Sequence, residues 1–434
     1  MSNISYVSTR GDVTPLNAAD AIARGLAADG GLYTPVSFPS VNPEMFADCS
    51  TLAQTAARLI APFVKGSLLF DNIEQICTDA FNFPTPVVPL KDDRGRVSVL
   101  ELFHGPTAAF KDVGARFLAA CMEHIEAQST QPLKILVATS GDTGGAVAAA
   151  FHGRHNVEVD VFYPAGQVSA RQEKQLTCWG DNIRAFRVDG RFDDCQNLVK
   201  SVFQDEALMS AHRFSSANSI NLGRLLPQMC YYAHASLTAW REEGEAPSFI
   251  IPTGNLGNAL ACIWARRAGL PIGEIVLATN ANQTIPDFLQ EGKWQPRDSV
   301  ATLASAMDVG NPSNMERLRW LHNNIDDIRE QVTAYSVSDD QISMQTVKDF
   351  TRYEQVWCPH TATAFNVLDQ LSSKQREQHW IGVATAHPAK FETIVEPLVE
   401  KAVEVPESLA KILDLPSEFN PISAQLESLR SWYS

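Results

Sequence analysis

Nucleotide-binding glycine signatures are missing from this chain of 434 residues. No GxGxxG and no GxxxxGK followed by Ser or Thr occurs, which excludes the dinucleotide fingerprint and the P-loop. Cysteine is sparse and dispersed: eight residues, the closest being Cys178 and Cys195, 17 apart, with no CxxC and no Cys/His spacing suited to zinc. Neither a disulfide framework nor a metal site is indicated, and such scattered thiols suit a reducing compartment. No run of 18 apolar residues occurs, so no membrane span is expected. The stretch MSNISYVSTRGDVTP lacks the apolar core of a signal peptide, and a cytoplasmic location is expected. Positive charge is in deficit: 35 Lys and Arg against 50 Asp and Glu give a net charge of -15. That balance argues against nucleic acid and anionic membrane as partners and leaves a small molecule as the expected one. An anionic substrate would have to be held by a few local cations. Composition leaves the assembly open between monomer and homodimer.

What is present describes a globular protein with a large core. Hydrophobic residues make up 45% and charged residues 20%, and the length suggests two or three domains. From Leu133 onward, short β-rich runs end in turn clusters and then helix-like stretches. LKILVATS runs into GDTGG, VEVDVFYP into AGQVSARQEKQL, FIIPTG into NLGNALACIWARRAG, and EIVLATN and WIGVATAHP follow suit. Continuous apolar runs fit strands buried on both faces, and their alternation with helical patterns predicts an α/β fold with parallel sheets. Ligands of such folds bind beyond the carboxyl ends of the strands, where TSGDTGG, PTGNLGN and ATAHPAKF fall. Residues 1–85 read as a mainly helical N-terminal subdomain, with the proline-rich NFPTPVVPLKDD at 82–93 as the boundary. Residues 86–434 read as the main region, with a small α/β domain at roughly 125–212 inserted in a larger one, and the last 40 residues as closing helical pieces.

Within ELFHGPTAAFKDVGARF, Lys111 lies between Phe110 and Asp112 at the mouth of a predicted helix. Most lysines are solvated surface charges. A dehydrated lysine, however, loses its proton near neutral pH and forms Schiff bases. SGDTGG supplies Ser140, Gly141, Asp142 and Thr143 ahead of a helix, where backbone N–H groups meet anions; the same residues also suit an ordinary capped turn. GNLGN, residues Gly254, Asn255, Leu256, Gly257 and Asn258, reads either as a phosphate nest or as a strand-to-helix turn. In SSANSINLGRLLPQM, Asn218, Ser219 and Arg224 suit a phosphate or carboxylate, or else a capped helix with a solvated arginine. Thr385 ends the strand before AHPAKF and offers a hydroxyl to a ring nitrogen or to local backbone. His104, His360 and His387 are ambiguous between structural and catalytic roles. Taken together, the amine, two glycine loops, a cation with amide donors and a strand-end hydroxyl call for an aldehyde cofactor carrying a phosphate, which is pyridoxal 5'-phosphate.

The ordered motifs ELFHGPTAAFKD, ATSGDTGGAVAAAF, SANSINLGRLLPQ, PTGNLGN, SAMDVGNPSN and TAHPAKF, with the N-terminal STRG and DGGLYTP, resemble the threonine synthase family over nearly the whole chain. They are most similar to its longer branch, which carries an extra N-terminal domain. The resemblance implies a fold type II pyridoxal-phosphate enzyme of the tryptophan synthase β-subunit group, with two parallel-sheet domains and the cofactor between them. It implies a carbon–oxygen lyase converting O-phospho-L-homoserine and water to L-threonine and phosphate, the last step of threonine biosynthesis. By the same resemblance Lys111 carries the cofactor and moves protons, residues 254–258 hold its phosphate, and Thr385 faces its ring nitrogen. Ser140, Gly141 and Thr143 then meet the substrate carboxylate, and Asn218, Ser219 and Arg224 clamp the substrate phosphate. Asp142 stands where the wider group has asparagine. A carboxylate repels a substrate carboxylate, so Asp142 is expected to bond backbone N–H groups or the cofactor hydroxyl. Leu256 stands where an aromatic is common, with little effect expected on a loop acting through its backbone. The alternatives are an O-phosphohomoserine phospho-lyase, another β-replacement or dehydratase enzyme of the same fold, and a non-catalytic α/β binding protein.

Overall fold

The computed structural model describes residues 3–11, 14–92, 96–322 and 324–433. Its strands, in chain order, begin with β1 (Tyr6–Ser8), β2 (Tyr33–Pro35), β3 (Val87–Leu90) and β4 (Val97–Glu101). There follow β5 (Leu133–Ala138), β6 (Val157–Pro164), β7 (Ile183–Asp189) and β8 (Arg213–Ser216). The last are β9 (Ser248–Pro252), β10 (Ile275–Thr279), β11 (Thr333–Ser336), β12 (Trp380–Ala384) and β13 (Asn420–Ser423). They form a six-stranded sheet of order β11-β10-β9-β12-β4-β3, a five-stranded sheet of order β13-β7-β6-β5-β8, and the antiparallel ribbon β1-β2. Every pairing in the two large sheets is parallel except β3 with β4. Strands β9, β10 and β12 are buried at every position, as their unbroken apolar runs predict for strands covered on both faces.

Two boundaries differ from the sequence reading. The smaller sheet extends past residue 212 to β8, and its far edge is β13, which pairs with β7 from 420–423. The closing residues therefore return a strand to the inserted domain. The run NPIS carries no alternating pattern that would have marked it, since it is an edge strand of four residues.

The N-terminal region packs helices Ala18–Arg24, Leu52–Val64 and Ile73–Ala80 behind the ribbon. Helix Leu52–Val64 opens with a capping box between Thr51 and Gln54 and buries Leu52, Ala56, Leu59, Ile60 and Phe63, a stripe at helical spacing. One apolar cluster runs from Tyr6 and Phe63 through Phe117 and Val137 to Trp264. Each such large side chain contributes about 1.5–3 kcal/mol on burial, so this shared core fixes the N-terminal region against both sheets. No helix among the described residues is long and apolar enough to cross a membrane.

Helix Lys111–Glu126 begins at the candidate lysine. Its N-terminus lacks a side-chain cap at Phe110. Instead the Asp112 carboxylate, buried in the first turn, accepts from Thr107 N at 2.9 Å and Thr107 Oγ1 at 2.7 Å. That clasp ties the His-Gly-Pro-Thr turn onto the helix start and fixes where Lys111 leaves the backbone.

Candidate active site

The turns after β5, β8, β9 and β12 converge with the start of helix Lys111–Glu126 around a cavity of about 1270 Å³. Thirteen of the fourteen candidate residues line it: Lys111, Ser140, Asp142, Thr143, Asn218, Ser219, Arg224, Gly254, Asn255, Leu256, Gly257, Asn258 and Thr385. The exception is Gly141. Its φ is 129°, and a Cβ there would stand 2.8 Å from the Gln172 side chain, so this glycine shapes the turn without facing the cavity.

Lys111 is the least compensated charge of the site. Among the described residues its Nζ makes no hydrogen bond and no ion pair; only the Phe110 ring lies beneath it, 5.8 Å from the centroid. Burial lowers its pKa to about 8, with Arg224 and Lys390 pushing the same way and Asp142 opposing. A substantial neutral fraction near neutral pH is what Schiff-base chemistry requires of an amine.

Among the described residues Asp142 bonds no backbone N–H group, which was one of the two partners expected for it. Its Oδ1 pairs with Lys390 Nζ at 2.8 Å and accepts from Gln172 Nε2 at 3.1 Å. Burial alone would raise this carboxyl, but Lys390, and Lys111 near it, hold it well below the usual carboxylate range.

The loop after β9 presents its backbone to the cavity. Among the described residues, none of the amide N–H groups of Gly254, Asn255, Leu256, Gly257 and Asn258 has a partner. They sit at the start of helix Gly257–Arg267, where N–H groups and the helix dipole together favour an anion. The left-handed residue is Leu256, φ 64°, and neither loop glycine. Gly254 is needed for space, because its Cβ would fall 2.7 Å from Met307 Cα. At Gly257 a Cβ would meet protein atoms only at 3.5 Å or beyond. The Asn258 side chain closes the loop on itself, accepting from Thr253 Oγ1 at 2.7 Å and donating to Pro252 O at 2.9 Å. Asn255 bridges outward, donating to Ser219 Oγ and accepting from Ser313 N.

Arg224 is buried and, among the described residues, its Nε has no partner; Nη1 donates to Ala217 O. Desolvation lowers it to about 10, with Asp112 opposing. A guanidinium with no carboxylate partner at a cavity wall is the kind of local cation that an anionic ligand of so acidic a chain would need. Asn218 is partly committed, its Nδ2 donating to Ala138 O at 2.8 Å. Thr385 is buried while its hydroxyl makes no hydrogen bond among the described residues, and its carbonyl accepts from Phe110 N at 2.8 Å.

Apart from His360, whose role the sequence left open, several contributing residues were not singled out there. Thr139 Oγ1 accepts from Gly141 N at 3.0 Å and Gly144 N at 2.8 Å, which sets the turn after β5. His360 lines the cavity, unlike His104 and His387. Its Nε2 accepts from Ala306 N at 3.1 Å, so the ring proton sits on Nδ1, which is buried and unpartnered. Burial lowers His360 to about 4, despite the opposing Asp142. Arg317, fully buried, donates to Asn314 Oδ1 at 2.7 Å, and Asn314 in turn donates to Asn255 O at 3.1 Å. Thr139 and Asn314 lay inside the quoted ATSGDTGGAVAAAF and SAMDVGNPSN, and Arg317 lay outside every quoted stretch. Lys390 lay inside the quoted TAHPAKF and went unnoticed, since no spacing rule ties it to Asp142. No cluster of side chains suited to a metal occurs among the described residues.

These donors fit a phosphorylated pyridine aldehyde. An unpartnered amine, an unpaired amide loop with room left by Gly257, and an idle strand-end hydroxyl answer its aldehyde, phosphate and ring nitrogen. The class that this fold and donor set define is the pyridoxal-phosphate-dependent enzymes of fold type II. A family model described as pyridoxal-phosphate dependent enzyme matches residues 79–386. Two more, threonine synthase N terminus and threonine synthase, C-terminal, match residues 5–81 and 361–432. Threonine synthase of Escherichia coli (strain K12) is 38% identical over 416 residues, 95% of each chain. That of Serratia marcescens is 38% identical over 420 residues, again 95% of each. Among solved structures, Escherichia coli threonine synthase superposes with a TM-score of 0.90 at 36% identity, covering 99% of each chain. Threonine synthase from Brucella melitensis with bound pyridoxal phosphate gives 0.91 at 32% identity, also over 99% of each. The chain belongs to the threonine synthase family, and pyridoxal phosphate is its cofactor.

Proposed function

We propose that this cavity carries out the threonine synthase reaction, O-phospho-L-homoserine plus water to L-threonine plus phosphate, with Lys111 as its proton carrier. The observation that carries the assignment is the buried Lys111 amine, without a partner among the described residues, sharing one cavity with the unpaired amides of residues 254–258 and the Arg224 guanidinium, whose Nε is unpartnered there. When bound, the cofactor withdraws electrons from the substrate carbons and makes their protons acidic. The amides of residues 254–258 would hold its phosphate, and Thr385 Oγ1 would bond its ring nitrogen. Ser140 and Thr143 with the backbone of their turn receive the substrate carboxylate. Arg224, with Asn218 and Ser219, receives the substrate phosphate.

The chain's own work is proton traffic and charge placement. Lys111 Nζ, released when substrate amine takes its place, carries one proton at a time: it would take the Cα proton, pass it to the extended substrate–cofactor π-system, and only then, neutral again, accept a Cβ proton. Arg224 holds the γ-phosphate as its C–O bond breaks and the electron pair leaves with it. Lys111 Nζ delivers the Cβ proton to Cγ, the oxygen of water adds at Cβ while its spare proton goes to the departed phosphate, and the proton set aside from Cα is returned there through Lys111. Burial of the amine matters here: a fully solvated lysine would stay protonated near neutral pH and could not accept. Phosphate released against Arg224 could share the proton work.

We place residues 1–85 as a threonine synthase N-terminal unit and residues 86–434 as the catalytic region, supported by the break between helix Ile73–Ala80 and β3. A cytoplasmic location is proposed from the eight free cysteines, all buried and unbridged. The test is the visible absorbance of the purified protein with and without O-phosphohomoserine, followed by product analysis. Threonine and phosphate in equal amounts support the reading. 2-Oxobutyrate would favour the phospho-lyase, and a colourless protein would leave only a binding module.

A further inference from the structure

We propose that Lys390 is a positioning residue for this reaction: its buried ammonium claims Asp142, keeps that carboxylate off the Lys111 amine, and so leaves the amine free to accept protons. The role rests on the assignment of Lys111 above.

Lys390 is fully buried and does not reach the cavity, whereas Asp142 does. It stands behind the carboxylate with Nζ 2.8 Å from Asp142 Oδ1, and its second bond goes to Thr107 O, also at 2.8 Å. Thr107 is the residue whose N–H and hydroxyl grip Asp112, directly after Lys111. Gln175 Nε2 donates to the same Thr107 carbonyl, and Gln172 Nε2 to the same Asp142 oxygen. Both glutamines come from helix Ala170–Thr177 of the inserted domain. Lys390 follows β12 of the larger sheet, and Asp142 follows β5 of the smaller one. One ammonium therefore joins the two domains and the turn that sets Lys111.

The electrostatic need is specific to this carboxylate. A buried charge without a partner is strongly unfavourable, so Asp142 must find a cation. Two ammonium groups are near: Lys390 and Lys111. Paired with Lys111, the carboxylate would hold that amine protonated and attached, and a proton acceptor would be lost. The charged and titratable groups facing Lys111 are Asp142, Arg224 and Lys390, with His360 across the cavity, neutral at working pH. Of these only Asp142 favours the protonated amine, and Lys390 is the group that occupies it. An asparagine at 142 would need no such partner, so Lys390 and Asp142 form one device.

The experiment follows the Lys111 proton directly. The full chain, freed of cofactor, is pulse-labelled with a trace amine-acylating reagent from pH 6 to 11, and the Lys111 peptide is quantified by mass. The expected labelling midpoint of the wild type is about 8. Lys390→Met should raise it by on the order of one pH unit or more, as expected when a carboxylate is freed beside an amine. Asp142→Asn should lower it. The double variant should return towards wild type, and Lys390→Arg should keep the wild-type midpoint. A purely structural role would lower labelling or melting temperature while leaving the midpoint where it was, and would overturn the proposal. So would a double variant that titrates like Lys390→Met. Should Lys390→Met not fold, the shift of Asp142→Asn against wild type decides: no downward shift rejects the device. Borohydride trapping of the loaded enzyme tests the underlying assignment separately. Cofactor fixed on a lysine other than Lys111 would reject that assignment, and this role with it.

Discussion

The Arg224 side chain lies so close to Gly114 that a Cβ on the glycine would fall 2.9 Å from Arg224 Nε. The same Cβ would stand 2.9 Å from Arg224 O, so backbone as well as side chain blocks it. Gly114 lies inside helix Lys111–Glu126, where alanine would be favoured by about 1 kcal/mol on propensity alone. Space for the guanidinium is the physical reason for glycine there. Gly114→Ala should therefore displace Arg224 and lower kcat/KM for O-phosphohomoserine by about 10-fold or more, while the cofactor absorbance persists. Steady-state kinetics beside a visible spectrum check this; unchanged kinetics would mean the helix simply shifts.

Removing the guanidinium itself should cost more. Truncating one partner of a buried charged contact costs roughly 2–5 kcal/mol, which is about 30-fold to several-thousand-fold in kcat/KM. Because the phosphate is also the leaving group, Arg224→Ala should lower kcat as well as raise KM. It should also discriminate poorly between O-phosphohomoserine and neutral homoserine analogues. A loss below about 5-fold would return Arg224 to a structural role.

How much of this was legible depends on the range of the cause. Turn clusters after β5, β9 and β12 announced themselves, because glycine and polar runs after unbroken apolar strands have a local origin. Thus Lys111, residues 254–258 and Thr385 all fall on the cavity wall. The Lys390–Asp142 pair spans 248 positions, and the pairing of β13 with β7 is similarly distant; neither leaves a periodic trace. The strain at Leu256 was hidden by the glycines on either side, which looked like the natural holders of a positive φ. Gly114 looked like a weak spot in a helix, and only the folded chain shows the arginine above it.

Lys111→Ala should abolish the borohydride-fixable adduct and reduce turnover by at least the ~10²–10⁴-fold typical of a lost acid–base group. The substitution removes an unpartnered amine, so no ion pair breaks and thermal stability should hold or rise slightly. An inactive variant with a collapsed melting temperature would contradict this, as would an adduct persisting on a different lysine.

The two loop glycines should fail differently. At Gly257 the Cβ of an introduced valine meets only ordinary contacts within the protein, so Gly257→Val should fold with a near wild-type melting temperature and lose cofactor affinity, the side chain taking the anion's place. Gly254→Ala drives a Cβ into the Met307 backbone and should destabilise the apoprotein itself. Thermal melts with and without pyridoxal phosphate separate these outcomes. Undiminished cofactor affinity in Gly257→Val would reject this loop as the phosphate site.

A last prediction lies away from the cavity, between helices Asp339–Tyr353 and Pro359–Gln370. Asp349 is fully buried there; Oδ1 accepts from Gln345 Nε2 at 2.9 Å and Oδ2 has no partner among the described residues. The same Gln345 nitrogen donates to Asp369 Oδ2 at 3.1 Å, which brings two carboxyl groups together. Burial first, then the Asp369 charge, push Asp349 up to about 7, against the pull of Gln345, Arg352 and Lys348. A carboxyl whose folded pKa lies above its unfolded value of 3.8 binds its proton more tightly in the native state. Its stabilising contribution is complete below about 4 and is lost as pH rises through about 7. At pH 8 the native state must hold an ionised, half-satisfied carboxylate in its interior. Asp349→Asn keeps the shape and removes that ionisation. It should stabilise the protein at pH 8 by about 2–4 kcal/mol, each unit of pKa shift being worth about 1.4 kcal/mol. The advantage should shrink as pH falls towards 5, where the wild-type side chain is protonated. Guanidinium unfolding at the two pH values measures the difference; equal stability of wild type and variant at pH 8 would show that Asp349 already ionises without strain.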